Sequence, residues 1–185
     1  MWPHLLRKES VGLDRRAWLR MVGLAGIAGA SAGLGACGFK LRGRQAFVFS
    51  SIAIMPHPGS PLTQELRRSF GPAVQVLAPD APLTQAQLVL TVANEQREKV
   101  VVGVNASGQV RELQLRMRLR LNLRTAKGKE IIEGDDIVQQ RDISYNETAA
   151  LAKEAEEALL YRDMQTDIVQ QILRRLAAIQ ASQLD

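Results

Sequence analysis

The sequence is poor in the side chains that carry most enzymatic chemistry. It has one cysteine, Cys37, and two histidines, His4 and His57. A lone thiol forms no intramolecular disulfide, and two histidines leave a histidine-based triad or zinc site almost nothing to draw on. The loops lack a glycine-rich cradle for phosphate. Aromatic residues make up 4% of the chain, and both tryptophans, Trp2 and Trp18, lie near the N-terminus, so no aromatic row is available for stacking bases. Carboxylates do occur in pairs, Asp135-Asp136 and Glu156-Glu157. Sequence neighbours, however, point to different sides of a strand or helix, which suits solvated charge better than a catalytic pair. The chain is therefore expected to be no enzyme and to need no metal or dissociable cofactor.

Uninterrupted apolar sequence is also short. Residues 1–20 are basic, and residues 21–36 are a mild run rich in glycine and alanine. A spanning helix needs about 20 apolar residues, so a signal segment is the better reading. The run ends in Leu34-Gly35-Ala36-Cys37. Small residues before a cysteine make a lipobox: the thiol of Cys37 is acylated, the leader is cut at the Ala36–Cys37 bond, and a lipid-carrying N-terminus results. That covalent lipid is the only attached group expected. Asp14-Arg15-Arg16-Ala17-Trp18-Leu19-Arg20 resembles a twin-arginine export signal, and a generic secretory leader containing paired arginines is equally compatible.

Cleavage leaves 185 − 36 = 149 residues, enough for one domain with a real core. It also changes the charge. The leader holds Arg7, Lys8, Arg15, Arg16 and Arg20 against Glu9 and Asp14, which is +3 of the total +5, so about +2 remains. The basic isoelectric point thus belongs largely to the leader and is poor support for nucleic-acid binding. The expected organisation is a signal peptide over residues 1–36, an acylated tether over 37–45 and a single domain over 46–185.

Within that domain, the β-branched and aromatic run from Ala46 to Met55 predicts a buried strand that stops at Pro56. Leu62, Leu66 and Phe70 recur at helical spacing, with Ser60 as N-cap, Pro61 at the first helical position and Gly71-Pro72 as stop. A short strand over Val74–Leu77 follows, then a strand over residues 87–103 with a charged bend at Asn94–Glu98. The clearest pattern is the alternation of Leu113, Leu115, Met117, Leu119, Leu121 and Leu123 with Gln114, Arg116, Arg118, Arg120, Asn122 and Arg124. Period two sustained so long predicts an antiparallel strand with one buried and one wet face. Glu130–Ile143 returns as its partner, with a bulge expected at Gly134 and with Glu133, Asp135 or Asp142 near the basic face. Asn146 to about Ala181 predicts a long helix with a stripe through Leu151, Ala155, Ala158, Tyr161, Gln165 or Met164, Ile168, Ile172, Leu176 and Ile179. The sum is an α+β two-layer sandwich: a four-stranded mixed or antiparallel sheet with two helices on one face.

The candidate binding feature is the arginine row Arg116, Arg118, Arg120 and Arg124. Guanidinium groups about 6.6–6.8 Å apart on one strand face can hold phosphates or carboxylates bidentately. The competing reading is a solvated face neutralised by acidic residues of the return strand.

Cys37-Gly38-Phe39-Lys40-Leu41-Arg42-Gly43 resembles the signature that opens the mature chain of the LPS-assembly lipoprotein LptE family. The order of elements agrees along the mature chain, including the Gly108-Gln109 turn, Leu151-Ala152-Lys153 opening the last helix and Ile172-Leu173-Arg174-Arg175-Leu176 near its end. The resemblance implies an outer-membrane lipoprotein on the periplasmic side. It would plug and help assemble the LptD β-barrel as a heterodimer and bind lipopolysaccharide during insertion into the outer leaflet. It implies no enzymatic activity and no nucleic-acid partner, and Gly38 after Cys37 is compatible with outer-membrane sorting. Lys153 matches the basic residue of the Leu-Ala-Lys element implicated in lipopolysaccharide contact, whereas Asn105-Ala106-Ser107 lacks a cation at the turn. The alternatives are an unrelated envelope lipoprotein acting as a pilot for another outer-membrane complex, and a lipid-active hydrolase dependent on His57 or an acidic pair.

Overall fold

A computed structural model describes residues 45–184 apart from His57 and Pro58. The signal segment, Cys37, the tether up to Arg44, and His57 lie outside the described residues. The elements, in chain order, are β1 (Ser51–Met55), α1 (Pro61–Ser69), β2 (Gln75–Val76), β3 (Leu88–Val104), β4 (Val110–Thr125), β5 (Glu130–Ser144) and α2 (Ala150–Ala177). Short 3-10 turns punctuate them. One sheet forms in the order β2-β1-β3-β4-β5; β1 is parallel to both neighbours, and β3, β4 and β5 are successively antiparallel. The fold is the expected α+β sandwich. The sheet has five strands instead of four, because the two-residue β2 pairs with β1 through Ser51↔Gln75 and Ile52↔Val76.

The first strand is shorter than expected. Only Ser51–Met55 pairs in the sheet, while Phe47 and Phe49 instead pack their rings on Phe70 at the end of α1, with centroids 5.4 and 6.5 Å away. Helix α1 begins as its sequence dictates: the Ser60 side chain accepts from the Thr63 amide at 3.3 Å, and Pro61 occupies the first turn. Leu62 and Leu66 are fully buried.

Strand β4 buries Leu113, Leu115, Met117, Leu119, Leu121 and Leu123 toward the helices, so the alternation translates directly into a two-faced strand. The bend near Asn94 is a bulge: Asn94 takes φ 53°, and pairing with β4 resumes one residue out of step, at Gln96↔Arg118. Gly134 supplies the expected bulge in β5 with φ 64°, and its amide donates to Asn122 Oδ1 at 2.8 Å. The core joins these faces to Ile52, Ile54, Leu88 and Leu90 and to the helix side chains Met164, Ile168, Val169 and Ile172.

The long helix differs from expectation in its extent and in its first turns. It spans Ala150–Ala177, preceded by a 3-10 turn that Asn146 caps, its Oδ1 accepting from the Thr148 amide at 3.1 Å. Leu151 is 83% exposed, and Ala155 and Ala158 are also outside the core. The buried stripe begins at Tyr161 and continues through Met164, Ile168, Ile172 and Leu176. Traced back from Tyr161 at helical spacing, that stripe runs through Ala158, Glu157 and Glu154, which offer it one small apolar side chain and two carboxylates, and Leu151 and Ala155 lie to one side of it. No described helix is long and apolar enough to cross a membrane.

Candidate ligand-binding faces

The hairpin β3–β4 and strand β5 extend well beyond β1, which pairs with β3 only as far as Thr91. The sheet therefore has a helix-covered face and an open face, and the sequence-predicted residues divide between them. Arg116, Arg118, Arg120 and Arg124 lie on the open face, opposite the leucines of β4. Lys153 sits at the start of α2 on the helix side. Its ammonium donates to Ser144 Oγ at 3.1 Å and pairs with Glu156 at 2.8 Å. It also lines a small cleft of about 70 Å³ with Lys99, Leu113 and Glu157. The structure does not bring Lys153 to the arginine row.

On the open face the arginines are partly neutralised. Arg120 makes a two-pronged contact with Asp136, Nε to Oδ1 at 2.8 Å and Nη2 to Oδ2 at 3.0 Å. This hydrogen-bonded guanidinium holds the Asp136 carboxyl below the usual carboxylate range, and Asp136 raises Arg120 in turn. Arg118 stands 3.8 Å from Glu98 of β3. Arg116 donates from Nε to Gln114 Oε1 at 2.7 Å, and Gln114 donates onward to Asp142. Arg124 has no ion pair or side-chain hydrogen bond among the described residues. The neutralising carboxylate on the return strand is Asp136, whereas Asp135, one residue earlier, points to the helix side and pairs with Arg175. The bulge at Gly134 decides this: it shifts the pleat so that Asp136 stands opposite Arg120 and Asp135 opposite Leu121.

A second polar cleft lies beneath the first half of α2. It encloses about 460 Å³ between Arg97, Lys99, Glu154, Glu157, Tyr161 and Arg162. Lys99 pairs with Glu157 at 2.7 Å, and the Arg97 guanidinium lies 5.6 Å from the Tyr161 ring centroid while donating to Gln165. The Tyr161 hydroxyl donates to the Glu98 carbonyl at 2.8 Å. Burial pushes the Tyr161 phenol up, and the hydrogen bond to Glu157 pushes Lys99 up. These groups lie far apart in sequence, so no motif announces them. Among the described residues, no group of three or more histidine, cysteine, aspartate or glutamate side chains converges to hold a metal.

Comparison with known proteins assigns the domain. The solution structure of uncharacterized lipoprotein B from Nitrosomonas europaea is similar, with 32% identity, 76% of this chain and 91% of that chain covered, and a TM-score of 0.65. The rare lipoprotein B from Shewanella oneidensis shares the fold at 19% identity over 70% and 95% of the two chains, with a TM-score of 0.59. A minor lipoprotein from Acinetobacter baumannii does so at 20% identity over 71% and 93%, with a TM-score of 0.55. Among curated proteins, none matches this chain. Residues 47–176, from the aromatic cluster to the last buried turn of α2, match the family described as LptE, lipopolysaccharide-assembly. The chain belongs to the LptE lipopolysaccharide-assembly family.

Proposed function

We propose that the chain is an outer-membrane lipoprotein, anchored on the periplasmic side through acylated Cys37, that plugs and helps assemble the LptD β-barrel and binds lipopolysaccharide on its way to the outer leaflet. Family membership over residues 47–176 is the observation that carries this reading. The lipobox at Leu34–Cys37 supports the anchor, as do relatives described as lipoproteins. The protein acts by binding, without turnover of its own and without a cofactor beyond the covalent lipid.

The open face of β4 is the proposed contact for lipid phosphates, and Lys153 is a separate contact on the other side of the sheet. Arg118–Glu98 and Arg120–Asp136 are half-exposed pairs. Solvent-screened pairs of this kind are weak, so an incoming phosphate displaces the carboxylates at little cost. Two experiments test the reading. Tagged protein recovered from solubilised outer membranes should bring a large β-barrel with it, and mass spectrometry should find acylated Cys37; recovery without any barrel sinks the assembly role. Charge reversal at Arg118 and Arg120 should weaken lipopolysaccharide binding, with a smaller salt dependence than the unaltered chain. Unchanged binding would mean that the row is only a solvated, self-neutralised face.

A further inference from the structure

The base of the open face is not polar. Ala53, Leu77, Ala86 and Val89 form a second buried apolar cluster there, on the side of the sheet away from both helices, with Met55 and Ala81 packed against it. The segment between β2 and β3 covers this cluster. The cover is incomplete: Leu83 on its 3-10 turn is 37% exposed. Next to it opens a pocket of about 630 Å³, where β1 ends and β3 runs on with only β4 beside it. That volume falls in the range of about 300–1,000 Å³ typical of small-ligand sites.

We propose that this pocket binds a single acyl chain along its floor and the chain's anionic end at Arg124. The floor is linear. Val89, Thr91 and Ala93 alternate along one face of β3, a row about 13 Å long at strand rise, and Met55 and Leu83 add apolar surface. An extended hydrocarbon chain follows such a row, and a compact ring would leave most of it wet. Arg124 stands at the rim. It is the member of the arginine row with no ion pair or side-chain hydrogen bond among the described residues, although Glu130 lies opposite on β5. The N-terminus of α1, at Ser60 and Thr63, also borders the pocket, and its first turn carries no acidic residue to offset the positive end of the helix. Glu95 on the bulge is the one carboxylate of the lining. A lining with one guanidinium and a helix N-terminus against one carboxylate favours an anionic ligand, and Arg124 is the group that can pair with its charged end. The same chemistry is presented by a free fatty acid and by an acyl chain of a phosphorylated glycolipid. The site does not depend on the assembly role proposed above.

The test is isothermal titration of the full chain, free of detergent, with sodium dodecanoate kept below its micellar range. Saturable one-to-one binding is expected, tightening about fourfold per methylene from octanoate upward until the floor is filled. Arg124→Gln should weaken dodecanoate about tenfold and leave uncharged dodecanol unchanged. Ala93→Phe, which fills the floor, should abolish binding of both; Leu83→Glu, at an exposed turn that tolerates the change, does the same should the first variant fail to fold. Absence of dodecanoate binding overturns the site, and so does binding that survives both Ala93→Phe and Leu83→Glu. Dodecyltrimethylammonium binding as tightly as dodecanoate overturns the assignment of the anionic end. Displacement of bound dodecanoate by purified lipopolysaccharide identifies the glycolipid as the source of the chain, and retention identifies the free fatty acid.

Discussion

Arg67 shows how one side chain can join two layers of this fold. It projects from α1 with its Nη2 donating to the carbonyls of Ile54, at 2.9 Å, and Pro56, at 3.2 Å, so it satisfies the backbone where β1 leaves the sheet. Burial lowers its pKa from the ordinary arginine value, which leaves the guanidinium charged at any physiological pH. Arg67→Ala should cost about 1–3 kcal/mol in urea unfolding, the usual penalty for abandoning partly buried acceptors. Arg67→Lys should not recover it, because a point ammonium lacks the planar fork. Gly59 is the other residue whose identity is fixed by geometry: at φ 76°, an added Cβ would collide with the Thr63 side chain and the Pro56 carbonyl. Residue identity of this kind is hard to read from sequence. The arginine at 67 sits at an outward helical position, and only the arrival of β1's end beside α1 gives it a task.

Helix α2 is two elements in one. From Tyr161 onward it is an ordinary amphipathic helix seated on the sheet. Before Tyr161 it is held over β3 by polar contacts, chiefly Lys99–Glu157 and the Tyr161 hydroxyl on the Glu98 carbonyl. The Lys99 and Tyr161 pKa values are both raised. Their contribution is therefore fully present below the ordinary values of 10.5 and 10.0 and is lost as pH rises through the raised ones. Alkaline titration should loosen the first turns of α2 while the rest persists, seen as a partial loss of helical circular dichroism that Tyr161→Phe and Lys99→Met both diminish. A single cooperative loss of the whole helix would contradict this division. The extents of β4 and β5 were legible in sequence because a half-buried strand prints its two faces at period two. The first turns of α2 were misread for the same physical reason: Leu151, Ala155 and Ala158 are apolar, but the sheet beneath presents Lys99 and Arg97, so polar positions turn inward.

The whole molecule depends on one apolar layer between the sheet and two helices. Ile168 is fully buried in it, and Leu159 on the same helix is 54% exposed. Ile168→Ala should destabilise the chain by about 2–5 kcal/mol, and Leu159→Ala should change stability by less than about 0.5 kcal/mol, both measured by denaturant unfolding. Equal effects would mean that the first half of α2 is packed in solution. The sequence by itself determined the fold class, the two-faced strand β4, the caps and breakers of α1 and the bulge at Gly134, because each rests on local periodicity or on one residue's backbone preference. It also carried the family resemblance in Cys37–Gly43, a stretch outside the described residues. Only the tertiary structure decided which charges meet. It put Lys153 and the arginine row on opposite faces, gave Asp136 to Arg120 and Asp135 to Arg175, and left Arg124 beside an open apolar pocket. Charge pairing and pocket walls are assembled from residues distant along the chain, through strand register and helix placement, and neither is written in any local pattern.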